Sequence, residues 1–391
     1  MTSTSRRPLN DNADQNVIAL LWAWHRFEKR NGGPSVIDFA LTPPKGRVNV
    51  HSRLDVLRQI EGILSESSDQ LTRERLAAHA TFLRVLMGQQ YNFADYLSLT
   101  QGLPVHEFSQ DYLDMCQSRL KDALSRLTVA WDRDIKKALM KRDRLIPKHL
   151  LVRYFRKRLV ASVPVLSEYL GIRLHCPVTF KFVEVDEYWG YWVDGNWRRF
   201  RMRFNHVGSG LGESECEQFL HHELLAHCCQ LSSWREGITN NSLRVICGTT
   251  TVHTPEQFIF EGLAQTMPLL LDTWQEGSVL SARILLSHFT SLVLNNVHVK
   301  INSGCTLEEC ITYVRKWLPT MSDGTVVSEC MSRTLNSSFR SYQYVYGYSF
   351  DYFFRLSLVL TRAEKMNLLK KVFTEYLTYA DINKEYQVSL L

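Results

Sequence analysis

The chain has 391 residues, 45% of them hydrophobic and 22% charged, with a net charge of +6. These are the proportions of a soluble globular protein large enough to bury its core without disulfide staples, and they exclude a disordered or fibrous chain. The basic surplus is small and spread along the sequence, so no nucleic-acid interface is expected.

Nine cysteines are an odd number, and Cys228 and Cys229 are adjacent. Neighbours rarely bridge each other, so free, mostly buried thiols in a reducing compartment are expected. The polar residues 1–15 read as a disordered tail. The apolar stretch Val17 to Trp24 is short, lacks a small-residue cleavage site and runs into the charged segment His25 to Arg30. It therefore reads as an amphipathic helix and not as a signal peptide. No run is long enough to span a bilayer. The expectation is a cytoplasmic protein without a membrane partner.

Residues 16–30 are expected to be helical, stopping at Asn31-Gly32-Gly33. Residues 34–50, with several Pro and Gly, read as a loop. From about 51 to 170, helical periods recur at Leu54, Val56, Leu57, Ile60 and Leu64, at Phe82, Leu83, Leu86 and Met87, and at Leu120, Leu124 and Leu127. Breaks are expected near Gly102-Leu103-Pro104 and Ile146-Pro147. Val178, Phe180, Phe182 and Val185 then alternate with polar residues as in a strand, and Asp194-Gly195-Asn196 between two β-prone runs predicts a hairpin. The strand Arg198 to Asn205 alternates arginine with apolar residues. One solvated sheet face is the simpler account. An edge strand pairing with an extended, acidic peptide is the functional one. Arg153 to Arg158 reads as a charged helix face. The expected fold is α+β, mainly α: a helical region over 16–175 and a core over 176–391 forming one continuous unit. In that core a small antiparallel sheet precedes the chemically interesting helix.

That helix lies in Gly212 to Gln230. Ser214 with Glu217 forms a capping-box pattern, which puts His221, His222, Glu223 and His227 in its middle turns. Two histidines four residues apart share one helix face and can hold zinc. Here His222 and His227 are five apart. At about 100° per residue they would diverge by roughly 140° in a regular α-helix, too far to share one ion. A π-bulge or unwinding at Leu224–Ala226 would bring them together. Zinc needs a third protein ligand and an open position. Thr254 with Gln257 is another capping-box pattern, Pro255 suits a first helical turn, and Glu261 would then lie in the second turn, where Gly262 lets a facing helix approach. One Zn²⁺ on His222, His227 and Glu261, with Glu223 as general base, would hydrolyse a peptide bond.

The H-E-x-x-x-H spacing followed by Glu261-Gly-Leu-Ala264 resembles the "QEGLA" metallopeptidases, which include bacterial proteins named for flavohaemoglobin expression and the microtubule-associated tyrosine carboxypeptidases. The resemblance covers residues 200–265 and, more weakly, 340–355, with Phe260 where the motif has Gln or Glu. It implies the same four roles for His222, His227, Glu261 and Glu223, a metallopeptidase-like fold and a carboxypeptidase-like activity on a peptide or protein substrate. Through Tyr344-Val-Tyr-Gly347 it also implies Tyr344 as a stabiliser of the oxyanion. The tyrosines from 342 to 348 read equally as an aromatic core stripe. His221 is expected in a supporting or surface place, His253 in a loop, and Cys228 and Cys229 as buried thiols. Two other classes stay open: a non-catalytic scaffold or binding protein keeping the fold without the metal, and a zinc hydrolase of a non-peptide amide.

Overall fold

The computed structural model describes residues 11–185, 190–205 and 207–387, and is mainly α with one small sheet. Seven helices come first: α1 (Asp11–Arg30), α2 (Arg53–Glu66), α3 (Gln70–Leu86), α4 (Phe93–Gln101), α5 (Gln110–Arg126), α6 (Ile135–Arg142) and α7 (Lys148–Leu170). Residues 1–10 of the expected tail lie outside the described residues. Residues 11–15 are already helix, a correction that buried Asp14 and Gln15 explain. The starts of α2 to α5 are closed by Ser52, Asp69, Asn92 and Ser109, each accepting a backbone N–H three residues on. Gly102 and Gly171 end α4 and α7 in the left-handed region, at φ of 65° and 63°. Of the expected apolar stripe on α2, Val56, Leu57 and Ile60 are buried, while Leu54 faces solvent.

The strands are β1 (Phe39–Ala40), β2 (Leu145–Pro147), β3 (Val178–Val183), β4 (Tyr191–Asn196), β5 (Phe200–Asn205), β6 (Gly210–Gly212) and β7 (Thr249–Thr250). Five form one sheet in the order β3-β5-β4-β1-β7, and β2 pairs with β6. The expected antiparallel sheet is corrected to a mixed one: β3 runs parallel to β5, and β1 parallel to β4. The hairpin of β4 and β5 exists, but its turn lies at Asn196 to Arg199. There the Asn196 side chain accepts the Arg198 N–H. Gly195 sits in the strand because a Cβ there would meet the Phe200 ring at 2.7 Å and the Phe39 ring at 3.3 Å. β5 is interior between β3 and β4, which overturns its reading as an edge strand. Its Phe200, Met202 and Phe204 are buried, and Phe204 stacks between Phe155 of α7 and the β3 rings Phe180 and Phe182.

The remaining helices are α8 (Glu213–Phe219), α9 (Cys229–Thr239), α10 (Gln257–Leu270), α11 (Val279–Asn302), α12 (Leu307–Trp317), α13 (Asp323–Leu335), α14 (Phe339–Val359), α15 (Arg362–Thr374) and α16 (Tyr379–Tyr386). One apolar core runs from Val17 to Ile382, so the N-terminal helices and the later ones share it. A second lies among α5, α6 and α11 to α13. All nine cysteines are free thiols, seven of them buried. Among the described residues no helix is long and apolar enough to cross a membrane.

Packing of α10 on α14 needs Gly262. A Cβ there would lie 2.3 Å from the Phe353 ring and 3.1 Å from Ser349 Cβ, so the two backbones approach where no side chain fits. Gly262→Ala should therefore destabilise the fold by about 1–3 kcal/mol through overpacking, read as a lowered midpoint in urea unfolding. An unchanged midpoint would mean that α14 yields freely.

Candidate metal centre

Glu213 to Thr239 is a continuous helical rod whose middle is not α-helical. Its first turn is not closed by the predicted capping box. Asp143, just after α6, accepts the Ser214 N–H with both carboxylate oxygens at 3.1 Å, and Glu217 is drawn to Tyr154 and Arg158 of α7. Between α8 and α9, Leu220–Cys228 forms a π-helix. There each N–H bonds five residues back, so residues five apart stack on one face. This is the distortion that the five-residue spacing demands. Leu224, Leu225 and Ala226, between the histidines, are at most 2% exposed and fill the core behind them.

The π-helix turns His222 and His227 toward the same space, their ring centroids 4.9 Å apart. His222, Glu223 and His227 each offer a ligand atom within 4.8 Å of the others, a group that could hold a metal ion. Glu261 faces them from α10, one carboxylate oxygen 3.8 Å from His222 Nε2 and the other 3.8 Å from His227 Nε2. Glu223 lies 3.8 Å from His222 alone. Glu261 Oε2 is buried without a hydrogen-bond partner, an expensive arrangement that a cation between the three side chains would relieve. Desolvation lowers the His222 imidazole to about 4 and, with His222 beside it, holds His227 well below its ordinary value. Both rings are therefore neutral, the form that binds metal. Burial raises Glu261 to about 7 against the tyrosine hydroxyls that lower it, and raises Glu223 well above the usual carboxylate range, with Glu261 and Asp38 adding to the effect.

Glu261 is held in place from two directions. At the start of α10, Glu256 takes a 2.6 Å bond from fully buried Arg75 and a 2.9 Å bond from Tyr376. On the far side the Tyr342 hydroxyl of α14 donates to Glu261 Oε1 at 2.6 Å, and the Tyr346 hydroxyl donates to Tyr342 at 3.0 Å. Tyr344 is not in the site, and its expected role is corrected. On α14, residues 342 and 346 share one face while 344 points elsewhere. The Tyr344 hydroxyl accepts the His106 N–H at 2.7 Å and donates to the Pro104 carbonyl at 3.0 Å. Phe260, where the QEGLA pattern has a polar residue, packs edge-on to His227 and against Trp234. His221 is buried and spans Glu217 and Thr273, while His253 pairs with His79 at 2.9 Å.

These side chains line a cavity of about 380 Å³ between the sheet and the helices. Its wall includes Asp38, Tyr191, Trp192 and Val193, none of which the sequence marked as functional. The signal was absent because Asp38 precedes a two-residue strand inside a Pro- and Gly-rich stretch. Burial, then Glu261 and Asp194, raise its carboxyl to about 8, with Arg203 opposing them. Strand β1 pairs only with Gly195 and Asn196 of β4. Gly190 to Val193, ahead of that pairing, line the cavity.

No protein-family model and no curated protein matches the chain. The crystal structure of "the putative lipoprotein from Colwellia psychrerythraea" is similar over 82% of this chain and 69% of its own, with a TM-score of 0.55 at 12% sequence identity. At that identity the likeness extends to the fold alone.

Calorimetric titration with a divalent transition-metal ion should show saturable uptake of about one equivalent. The His222→Ala/His227→Ala double variant should show none. Equal uptake by both proteins would remove the site.

Proposed function

We propose that the protein is a zinc-dependent peptidase, with His222, His227 and Glu261 holding one zinc ion and Glu223 as general base. The observation that carries this is the π-helix, which turns two histidines five residues apart onto one face opposite a buried, unpartnered carboxylate oxygen. In tetrahedral zinc with bonds of about 2.1 Å, ligand atoms lie about 3.4 Å apart. The 3.8 Å separations from Glu261 to each histidine need only a small contraction. Glu261 is assigned as third ligand because it places one carboxylate oxygen 3.8 Å from each ring and its Oε2 has no hydrogen-bond partner. Glu223, also within 4.8 Å of both rings, follows His222 directly and is left as the base.

Zinc bound there would act as a Lewis acid toward water and the scissile carbonyl. Glu223, its carboxyl on the cavity wall, accepts the proton of the attacking water and returns it to the leaving amine. Its raised proton affinity suits both halves of that task. Tyr346, partly exposed on the same wall, would turn its one hydroxyl proton from Tyr342 to the oxyanion, in place of Tyr344. Tyr342 fixes the orientation of Glu261. The QEGLA resemblance adds a carboxypeptidase direction. Arg199, Arg201 and Arg203, which would suit an acidic chain or its terminal carboxylate, line a cleft that adjoins the cavity at Asp38 and Trp192.

Three variants test the roles separately. Glu223→Gln should keep its zinc and lose hydrolysis of a peptide library by about 10²–10⁴-fold, whereas Glu261→Gln should lose the metal itself. Tyr346→Phe should retain zinc and slow turnover by roughly 10–10³-fold. If wild type and Glu223→Gln are equally inert toward the library, the scaffold reading replaces this one.

A further inference from the structure

Two of the three carboxylates on the cavity wall, Glu223 and Glu261, are used by the reading above, and Asp38 is not. Among the described residues no lysine or arginine lines the cavity. Among the described residues the Asp38 carboxylate has no hydrogen-bond or ion-pair partner, although it lies against the protein interior and beside other acids. Its backbone is nonetheless well fixed. The Asp38 N–H donates to the Thr250 carbonyl at 3.0 Å, and Phe39, the next residue, pairs with strands on both sides.

The arginines beside it are engaged by Asp194, although Arg203 also acts on Asp38. Arg201 donates two hydrogen bonds to Asp194, at 2.9 and 2.7 Å, and Arg203 lies 2.9 Å from the same carboxylate. Asp38 is thus a rigidly held carboxylate at the junction of the cavity and the cleft, open to a ligand from either. Asp38 is half-buried, and its carboxylate offers acceptors that a cationic group of a ligand can fill. A carboxylate end of a peptide placed here would instead meet a third like charge.

We propose that Asp38 receives a primary ammonium group of the substrate, either a free peptide α-amine or a lysine side chain. This rests on the peptidase reading of the cavity, and it sets substrate choice toward a cationic group at the Asp38 position, whichever end of the peptide is cleaved. Asp38 does so by positioning, through a charge-assisted hydrogen bond that forms only with the protonated amine.

Binding is measured by calorimetry on the zinc-loaded Glu223→Gln protein, which holds a peptide without cleaving it. Three amidated peptides of one sequence are compared: free at the N-terminus and without lysine, Nα-acetylated and without lysine, and Nα-acetylated with one lysine. At least one ammonium-bearing peptide should bind roughly tenfold or more tightly than the fully blocked one, and which one does so identifies the source of the amine. Adding Asp38→Asn should bring that ratio near one while zinc uptake stays at one equivalent. Equal binding of all three peptides, no binding of any, a ratio that survives Asp38→Asn, or loss of zinc in that variant would each overturn the inference. Hydrolysis by the wild type is scored apart. Ammonium preference without cleavage would sink the peptidase reading alone, and cleavage without the preference would sink only the role of Asp38.

Discussion

The site depends on the backbone hydrogen bonds of Leu220–Cys228. A five-residue separation cannot put two histidines on one face of an α-helix, and the π-helical stretch is what allows it. Such a stretch is rare because it is less favourable than the α-helix it replaces, so the surroundings have to hold it. They do so by burial. Leu220, Leu224 and Ala226 are fully inaccessible, and the thiols of Cys228 and Cys229 are sealed beside them. Asp143 fixes the start of the rod, and α7 grips Glu217 one turn before the distortion. Everything opposite the histidines is then arranged around that face: Glu261 on α10, and on α14 the tyrosines that contact it.

Much of this was legible from the chain because it lies in local pattern. The apolar periods of the early helices, the Arg-and-apolar alternation of β5 and the breaks at Gly102 and Pro147 follow from side-chain spacing alone. The π-helical stretch was legible too, since two histidines five residues apart share a face only if the helix is distorted between them. The small residue at 262 pointed to a close helix approach, and α14 makes that approach.

What was not legible depends on pairing between distant segments. That β5 is interior is decided by the parallel pairing of Val178–Val183 along its other side, and no periodicity in Arg198 to Asn205 records it. The turn of the hairpin moved by two residues because Gly195 serves to admit two aromatic rings, a tertiary demand that looks like turn chemistry in sequence. Tyr344 was misplaced for a related reason. Four alternating tyrosines suggest one functional stripe, but a helix sends 342 and 346 to one side and 344 to another. Asp38 carried no signal, because its importance lies only in what it faces.

The pairing of Phe39 with Gly195 joins segments about 150 residues apart in sequence, and Thr250 closes the same strand from the other side. Closing so long a loop is slow and costs entropy before it is rewarded, so this corner of the sheet is placed among the last parts of the chain to assemble. The histidine rod and its aromatic supports are more local and can form before it. A nascent or partly unfolded molecule would therefore carry the histidine face while its Asp38 wall is still missing. Maturation of the wall, rather than of the histidine rod, would then set when the cavity first discriminates between ligands.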